Sequence, residues 1–331
     1  MNVYAGDNKK MLNMLILEIL KEYTDTEHRL TQQEIIDLLK LNYGAECDRR
    51  SIRNNIRSLK DMGYEIATER GCYLVERDFE NAELRMLIDS VLFSKNLSGA
   101  QAKRLVKKLK GCGNRYFHAK VSHVSNLPEM FHSDNKQVMV VLDTLNDAIE
   151  EKKKVSFIYN CYGTDFKLHP RRDEPYIVNP YHMVANNGRY YLIGNYDKYD
   201  DLSHYRIDRI TSVTMLSEQV KPKKDVREFA GGWSLPKHMA EHIYMYSGDS
   251  VTVKFIADTD LMDELIDWFG RDFHIKKESE NKMLVTLRCN ERAMKYWALQ
   301  YGGHIEIKEP QSLRETVKAT VLDMAKKYGG E

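Results

Sequence analysis

The sequence predicts a multidomain α+β protein with an N-terminal winged helix-turn-helix, a central antiparallel barrel or strongly bent sheet, and a C-terminal ferredoxin-like domain. A length of 331 residues exceeds what one ordinary core holds, so two or three domains are expected. Apolar residues recur at helical spacing early in the chain, whereas short β-branched and aromatic runs with turn signals dominate its middle. Hydrophobic residues (42%) and charged residues (30%) are balanced as in globular proteins, which excludes general disorder.

Charge and cysteine content limit the possible partners. A net charge of +1 means that any contact with nucleic acid must come from a local basic cluster. The five cysteines are scattered, which favours neither a disulfide framework nor a zinc ribbon and fits a reducing cytoplasm. The apolar stretch "MLNMLILEIL" is too short to span a bilayer and has no cleavage site, so we expect a core helix, no signal and no membrane partner.

The first helices are marked by their caps. Residues 8–23 carry apolar side chains at helical spacing and predict an amphipathic helix. Thr31 followed by Glu34 forms a capping box that opens a second helix, and Gly44 closes it. Asp48 is the N-cap of a third helix that ends at Gly63.

Two short apolar runs around Arg70 and Gly71 then predict a hairpin. Three helices followed by a hairpin are the order of a winged helix-turn-helix.

The third helix has one basic face. Its apolar residues Ile52, Ile56 and Leu59 fall on one side, and five basic residues between 49 and 60 have no acidic neighbour in that segment. The plain alternative is a solvated basic face. In a helix-turn-helix this helix lies in the major groove, which predicts contact with a double-stranded DNA operator. The predicted DNA-binding residues are Gln32, Gln33, Arg49, Arg50, Arg53, Asn54, Arg57, Arg70 and Tyr73.

Residues 79–135 are expected to form a helical linker region. "AELRMLIDSVLFSK" and "SGAQAKRLVKKLK", the second capped by Ser98, read as helices that pack together or against a second subunit. From residue 111 to 137 no clear periodicity appears, which favours an unstructured linker with His118 and His123 in solvent. A helix from about 136 to 151 follows, and then the runs "KVSFIYN", "YIVNPYHMVANN", "RYYLIGNY" and "HYRIDRITSVTML". These runs predict the bent sheet.

After residue 249 the runs read as strand, helix, strand, strand, helix, strand and helix. Without its last helix, that is the ferredoxin-like order.

The central runs also resemble a known family. Tyr190, Tyr191 and Leu192 resemble the Trp-Tyr-Leu signature of WYL-domain transcriptional regulators, with tyrosine replacing tryptophan, and "HYRIDRI" resembles the family's Phe-Arg-Leu-Asp-Arg-Ile strand. The resemblance covers nearly the whole chain, including a C-terminal extension called WCX. It implies an SH3-like or Sm-like barrel that senses a nucleic acid or nucleotide effector, notably single-stranded DNA, in a homodimer.

Strand alternation places Arg206 and His204 on one face, opposite Tyr205 and Ile207. Since Ile210 follows Ile207 by three residues, we expect a bulge or turn near Asp208. Aromatic rings beside arginines suit base stacking and phosphate pairing. The alternative is that the tyrosines belong to the core and that Arg206 pairs with Asp208. The predicted effector-binding residues are Tyr159, Asn160, Tyr181, Tyr191, His204, Arg206 and Arg209.

Other chemistry finds little support in the sequence. His238 and His242 have the i, i+4 spacing of zinc ligands but no evident third ligand, so no metal and no cofactor are predicted. No phosphate loop, serine elbow or Cys-His pattern is present. Asp165 and Asp173 near His169 are the best catalytic candidates, but their spacing gives no reason to predict an enzyme.

The sequence thus predicts a cytoplasmic, homodimeric, DNA-binding transcription regulator without enzymatic activity. Its predicted domains are a winged helix-turn-helix (1–78), a helical linker region (79–135), an effector-sensing WYL domain (136–220) and a ferredoxin-like WCX-type domain (221–331). The last domain, like the linker helices, offers a surface for dimerisation. Two alternatives stay open: a nucleic-acid-binding accessory protein of a defence or repair system, whose N-terminal domain contacts proteins, and an enzyme.

Overall fold

The computed structural model describes residues 11–120, 135 and 137–330, apart from the side chains of residues 118–120 and 230. The chain divides into two compact units, residues 1–134 and 135–331.

The N-terminal unit begins with the predicted three helices and hairpin. Their bounds are α1 (Leu12–Tyr23), α2 (Gln32–Tyr43), α3 (Arg49–Asp61), β1 (Ile66–Ala67) and β2 (Tyr73–Leu74). Thr31 and Glu34 form the expected reciprocal capping box, and the carboxylate of Asp48 accepts a hydrogen bond from the Ser51 amide. α3 ends two residues before Gly63, because Met62 already serves as its C-cap. These caps confirm the predicted helix starts.

One apolar core joins the three helices to the hairpin. Ile52, Ile56 and Leu59 are buried, which confirms the predicted apolar face of α3. They pack with buried side chains of α1, α2 and the hairpin, among them Ile16, Ile19, Leu20, Ile35, Leu39, Ile66 and Leu74. Burying each such side chain contributes roughly 1.5–3 kcal/mol. The opposite face of α3 is therefore fixed toward solvent.

The hairpin turn contains two residues with positive φ angles. Arg70 and Gly71 have φ angles of 59° and 114°. A Cβ atom at Gly71 would lie 2.8 Å from Cβ of Arg29, so glycine is required both for its conformation and for space. Leu30 and Cys72 exchange backbone hydrogen bonds of 2.9 and 2.6 Å, which ties the segment before α2 to the hairpin.

The linker region contains more structure than the sequence predicts. α4 (Asn81–Phe93) and α5 (Gly99–Lys110) occur as expected, with a Ser98 capping box, and α6 (Arg115–Lys120) follows. Phe117 of α6 packs with Leu84, Ile88 and Val106 of α4 and α5, so these helices bury their apolar faces together.

The expectation of an unstructured segment from residue 111 is therefore wrong for residues 115–120. The cause is one side chain: Asn114 accepts a hydrogen bond from the Phe117 amide and donates to the Thr24 carbonyl and to Asp25, at 2.8, 3.0 and 3.1 Å. His123 and the His118 side chain lie outside the described residues.

The second unit opens with a helix and a curled antiparallel sheet. The elements are α7 (Val138–Glu150), β3 (Lys153–Tyr162), β4 (Leu168–Pro170), β5 (Tyr176–Asn186), β6 (Arg189–Tyr196), β7 (Leu202–Arg206) and β8 (Ile210–Gln219). The strand order is β4-β3-β5-β6-β7, and β8 pairs with β3 as well. Register shifts along β3 and β5 bend the sheet around a core that includes Phe157, Leu192 and Tyr205.

Between β7 and β8 the chain makes a short 3₁₀ turn, Ile207–Arg209. This confirms the turn expected near Asp208. Asn135 stabilises this turn, because its side-chain amide donates to the main-chain carbonyls of Asp208 and Ile210 at 3.1 and 2.7 Å.

The C-terminal part follows the predicted element order. A short helix precedes it, and the bounds are α8 (Leu235–Glu241), β9 (Ser250–Asp258), α9 (Met262–Phe269), β10 (His274–Lys277), β11 (Lys282–Asn290), α10 (Glu291–Gln300), β12 (Ile305–Glu309) and α11 (Gln311–Lys327). The four strands are antiparallel in the order β10-β11-β9-β12. Trp297 and Phe255 are fully buried in the core of this layer.

The last helix extends beyond this core. Leu313 is the only residue of α11 that is buried, and every residue from 321 to 330 is exposed. The exposed apolar side chains are Val321, Leu322, Met324 and Tyr328. Across the described residues, no helix has the length and apolar character needed to cross a membrane.

Candidate functional site

The exposed face of α3 presents uncompensated positive charge. Arg50, Arg53 and Arg57 are exposed, as is Asn54. Within the described residues none of these three arginines forms an ion pair with an acidic side chain. Arg49 donates to the Gln33 side chain at 3.2 Å, which joins the starts of α2 and α3. The face is therefore available to an anionic partner.

The hairpin adds further polar groups to this unit. Arg70 is exposed at the turn, and Tyr73 is half-buried. The guanidinium of Arg29 lies 4.8 Å from the centroid of the Tyr73 ring and donates to the Glu69 carbonyl. Sequence reasoning missed Arg29, because its link to the hairpin depends on pairing across about forty residues.

The start of α2 holds the remaining predicted DNA-binding residues. Gln32 is half-buried, whereas Gln33 is exposed and donates to Asp37 at 3.1 Å.

A buried carboxylate organises the turn after β7. Asp208 is 1% exposed. Its Oδ1 accepts a 3.0 Å hydrogen bond from Nε of Arg206, and its Oδ2 accepts 2.7 Å bonds from Nη2 of Arg206 and Nη1 of Arg189. Arg206 therefore pairs with Asp208, which is the structural role that the sequence left open for this arginine. Two arginines, from β6 and β7, therefore donate to one buried carboxylate.

The pKa values of the two arginines shift in opposite directions. Burial by itself would lower the pKa of Arg206, but its hydrogen bonds to Asp208 raise it above the usual value. The pKa of Arg189 falls, because burial and the charge of Arg206 outweigh the opposite charge of Asp208. Arg189 was not predicted, although it lies two residues before Tyr191 on β6 and so shares its face.

Tyr191 and Arg209 complete the cluster. Tyr191 lies directly across from Arg206 in the β6–β7 register. Burial raises the pKa of Tyr191, although the charges of Arg206 and Arg189 oppose the rise, so its phenol is neutral. Arg209 has a buried Nε atom with no hydrogen-bond partner among the described residues.

Two further predicted residues position the backbone of this cluster. The hydroxyl of Tyr159 accepts a hydrogen bond from the Arg206 amide at 3.1 Å. The Asn160 side chain donates to the Arg209 carbonyl and to the Thr211 hydroxyl, both at 2.9 Å. Burial raises the pKa of Tyr159 and keeps it neutral.

The remaining two predicted residues make other contacts. The Tyr181 hydroxyl donates to the Lys221 carbonyl at 2.6 Å. His204 meets His238 of α8, with 2.8 Å between their Nε2 atoms. The structure therefore brings five of the seven predicted effector residues together around Asp208.

Comparison with known protein families identifies this part of the chain. A WYL domain family model matches residues 140–215, which include the Asp208 turn, and a WCX domain family model matches residues 249–325. The chain contains a WYL domain and a WCX domain. The resemblance found in the sequence, to the WYL-domain transcriptional regulators, is confirmed.

One curated relative is similar over nearly the full length of this WYL-domain protein. The "Uncharacterized HTH-type transcriptional regulator YobV" of Bacillus subtilis (strain 168) is 22% identical over 338 residues, which cover 97% of this chain and 98% of the relative.

Two solved structures show more distant similarity. A CRISPR Cas-related protein is 14% identical, with a TM-score of 0.41 over 99% of this chain and 88% of its own. Proteasome accessory factor B/C (PafBC) of Arthrobacter aurescens is 15% identical, with a TM-score of 0.30 over 94% of this chain. The WYL-domain protein spans about half of the PafBC chain, 47%.

Three histidines meet beside the WYL domain. The ring of His242 stacks on His238 with 4.1 Å between centroids, and lies 5.2 Å from His204. Burial, followed by the neighbouring histidines, holds the pKa of His204 well below its ordinary value and lowers that of His238 to about 3. Both rings are therefore neutral at pH 7. The sequence indicated the spacing of His238 and His242 but not the approach of His204.

A cleft of about 350 Å³ opens beside these histidines. Its lining includes Trp233, His238, His242 and Glu241. In the described part of the chain, three buried polar atoms of lining residues have no hydrogen-bond partner: Glu228 Oε2, Trp233 Nε1 and Ser250 Oγ. The cleft therefore has polar groups that a bound water or ligand could satisfy.

Proposed function

We propose that this WYL-domain protein is a cytoplasmic transcription regulator that binds operator DNA through its N-terminal domain. The exposed, unpaired arginine face of α3 carries this proposal, because arginine on such a helix can grip guanine and phosphate. The HTH-type regulator among its relatives supports the same role, and favours regulation over catalysis.

The elements support a domain arrangement for this role. Three helices and a hairpin in residues 1–78 suit a winged helix-turn-helix, with 79–135 as the helical linker region. The curled sheet supports an SH3-like or Sm-like barrel in the WYL domain at 136–220. The strand order β10-β11-β9-β12 supports a ferredoxin-like fold in the WCX-type domain at 221–331.

The Asp208 cluster is the proposed effector site. Arg206 donates to the buried Asp208 carboxylate, and Arg209 adds a buried Nε with no hydrogen-bond partner among the described residues, so an anionic ligand would find an unused donor here. The neutral ring of Tyr191 offers a surface on which a base can stack. These features favour a nucleic acid or nucleotide, such as single-stranded DNA, as the effector that changes operator affinity.

A homodimer fits this function, because one winged helix covers a single half-site. α11 offers a surface for it. Val317 packs against the C-terminal core, and Val321, Met324 and Tyr328 continue its apolar stripe at spacings of four, three and four residues into solvent. A second copy of α11 would cover this stripe.

Enrichment of duplexes from random DNA tests operator binding directly. The full chain should select a defined sequence, and Arg53→Ala and Arg57→Ala should each weaken its binding by about 5- to 150-fold if they read bases. Arg104→Ala, an exposed arginine of α5 in the same unit, is the matched control and should leave affinity unchanged.

An accessory protein whose N-terminal domain contacts other proteins would enrich no duplex. Equal affinities of all three variants for an enriched duplex would refute the assignment of α3 as the recognition helix.

A further inference from the structure

His204 and His238 meet nitrogen to nitrogen at the edge of the cleft. His204 comes from β7 and His238 from α8, and their Nε2 atoms are 2.8 Å apart. One of these atoms carries a proton and the other a lone pair directed at it. Two Nε2 atoms from different elements therefore already point at a common position.

We propose that His204, His238 and His242 bind a divalent transition metal such as Zn²⁺, Co²⁺ or Ni²⁺. Two metal–nitrogen bonds of about 2.0–2.1 Å at a tetrahedral angle place the nitrogens roughly 3.3 Å apart. The two rings need to separate by only about 0.5 Å for a metal to replace the shared proton. Imidazole ligands suit these metals rather than Mg²⁺ or Ca²⁺.

His242 supplies the third ligand. It follows His238 by one helical turn, and i, i+4 histidines on one face can chelate a metal together. Its Nδ1 contacts the His238 carbonyl at 3.0 Å, and its Nε2 reaches the Gly248 carbonyl at only 3.4 Å, which is a weak contact. Turning the ring away from Gly248 frees Nε2 for the metal.

The cleft supplies access and a fourth position. His238 and His242 both line it, so an ion can reach the rings from solvent and keep a water ligand on the open side. Glu241, which also lines the cleft, lies 3.4 Å from Arg288, so its negative charge is shared with that guanidinium. The bound metal would tie β7, the strand that carries Arg206, to α8.

Cobalt titration of the metal-free full chain, without a histidine tag, tests this site. We expect one Co²⁺ per chain with the visible absorption of a tetrahedral complex, displaced by Zn²⁺. His238→Gln and His242→Gln should each weaken binding about tenfold or more. Zinc should raise the melting temperature of the wild-type chain but not of His238→Gln.

His304→Gln is the matched control. Among the described residues, Asp258, Asp260 and His304 are the one group of three whose ligand atoms already lie within 4.8 Å of one another. This exposed variant should bind cobalt as the wild type does. If His304→Gln loses cobalt binding and His238→Gln keeps it, the metal binds at Asp258, Asp260 and His304, and the proposal is overturned. A wild-type chain that takes up no cobalt would overturn it as well, whatever the folding of the variants.

Discussion

Arg189 and Arg206 donate to the same atom, Oδ2 of Asp208, each at 2.7 Å. They come from the first residue of β6 and the last residue of β7, so the carboxylate joins two strands at their ends. Because Asp208 is almost completely buried, these arginines replace water as its partners. The turn therefore depends on this charge for its shape.

Asp208→Asn should destabilise the protein by about 3 kcal/mol, because it removes the buried charge to which Arg206 and Arg189 donate. Urea denaturation of the full chain, followed by circular dichroism, measures this loss. Asp200→Asn is the control: Asp200 is exposed and pairs with Lys221, so its loss should cost less than about 1 kcal/mol. Similar small costs for both variants would show that Asp208 does not support the turn.

Arg206→Ala should weaken binding of a labelled single-stranded oligonucleotide by about 10- to 150-fold, since a hydrogen bond to a charged group contributes roughly 1.5–3 kcal/mol. Fluorescence anisotropy measures this change. Operator affinity without effector should hardly change, because the two sites are distinct. Arg171→Ala, an exposed arginine of the same domain, is the matched control.

Thermal melting separates the two roles of Arg206. Asp208 keeps Arg189 in Arg206→Ala, so melting should fall less than in Asp208→Asn. If the variant keeps its single-strand affinity and melts normally, this site does not bind nucleic acid.

Stability should fall in acid through Asp25. Burial by itself would raise the pKa of Asp25, but hydrogen bonds from His28, Asn114 and Glu27 bring it below its ordinary value. The folded state therefore binds this proton less readily than the unfolded state, whose pKa is about 3.9. The contribution is present above that value and is lost as pH falls through the lower folded pKa. Asp25→Asn should thus cost more stability at pH 7 than near pH 3, and an equal cost at both would contradict the prediction.

Gly71→Ala should cost about 1–3 kcal/mol, because its φ of 114° strains an L residue and the new methyl meets the Arg29 side chain. Gly63→Ala has a similar φ of 100° but nothing within 4 Å, so it should cost less. The difference between the two urea midpoints isolates the steric contact. Equal costs of alanine at the two positions would show that Arg29 moves aside.

The dimer proposal predicts a mass of two 38.7 kDa chains in light scattering at micromolar concentration. The double variant Val321→Glu, Met324→Glu should be monomeric, because it charges the apolar stripe of α11. Ala319→Glu, an exposed position on the same helix, should leave the dimer intact. A monomeric wild type, with and without DNA, would refute the dimer.

Local signals made much of the fold predictable. The caps at Thr31, Asp48 and Ser98 depend on residues three positions apart, so helix starts could be read directly from the sequence. The turn at Asp208 was predictable for a similar reason. Side chains on a strand alternate every two residues, and the sequence interrupts this alternation within four residues.

The site itself was only partly predictable. Arg189 reaches Asp208 across 19 residues, and His204 reaches His238 across 34, and both contacts depend on strand register and helix placement. α6 has only six residues, too few for a periodic pattern, and forms because Asn114 caps it and Phe117 finds a core.

The hydrogen bonds of Asn135 connect the Asp208 turn to the start of the second unit. Asn135 is the first residue of the second unit, and its amide binds the carbonyls on both sides of Arg209. A ligand that draws Arg206 or Arg209 out of the turn would displace those carbonyls and release the side chain of Asn135. We therefore expect effector binding to be transmitted to residue 135, the point at which the second unit begins.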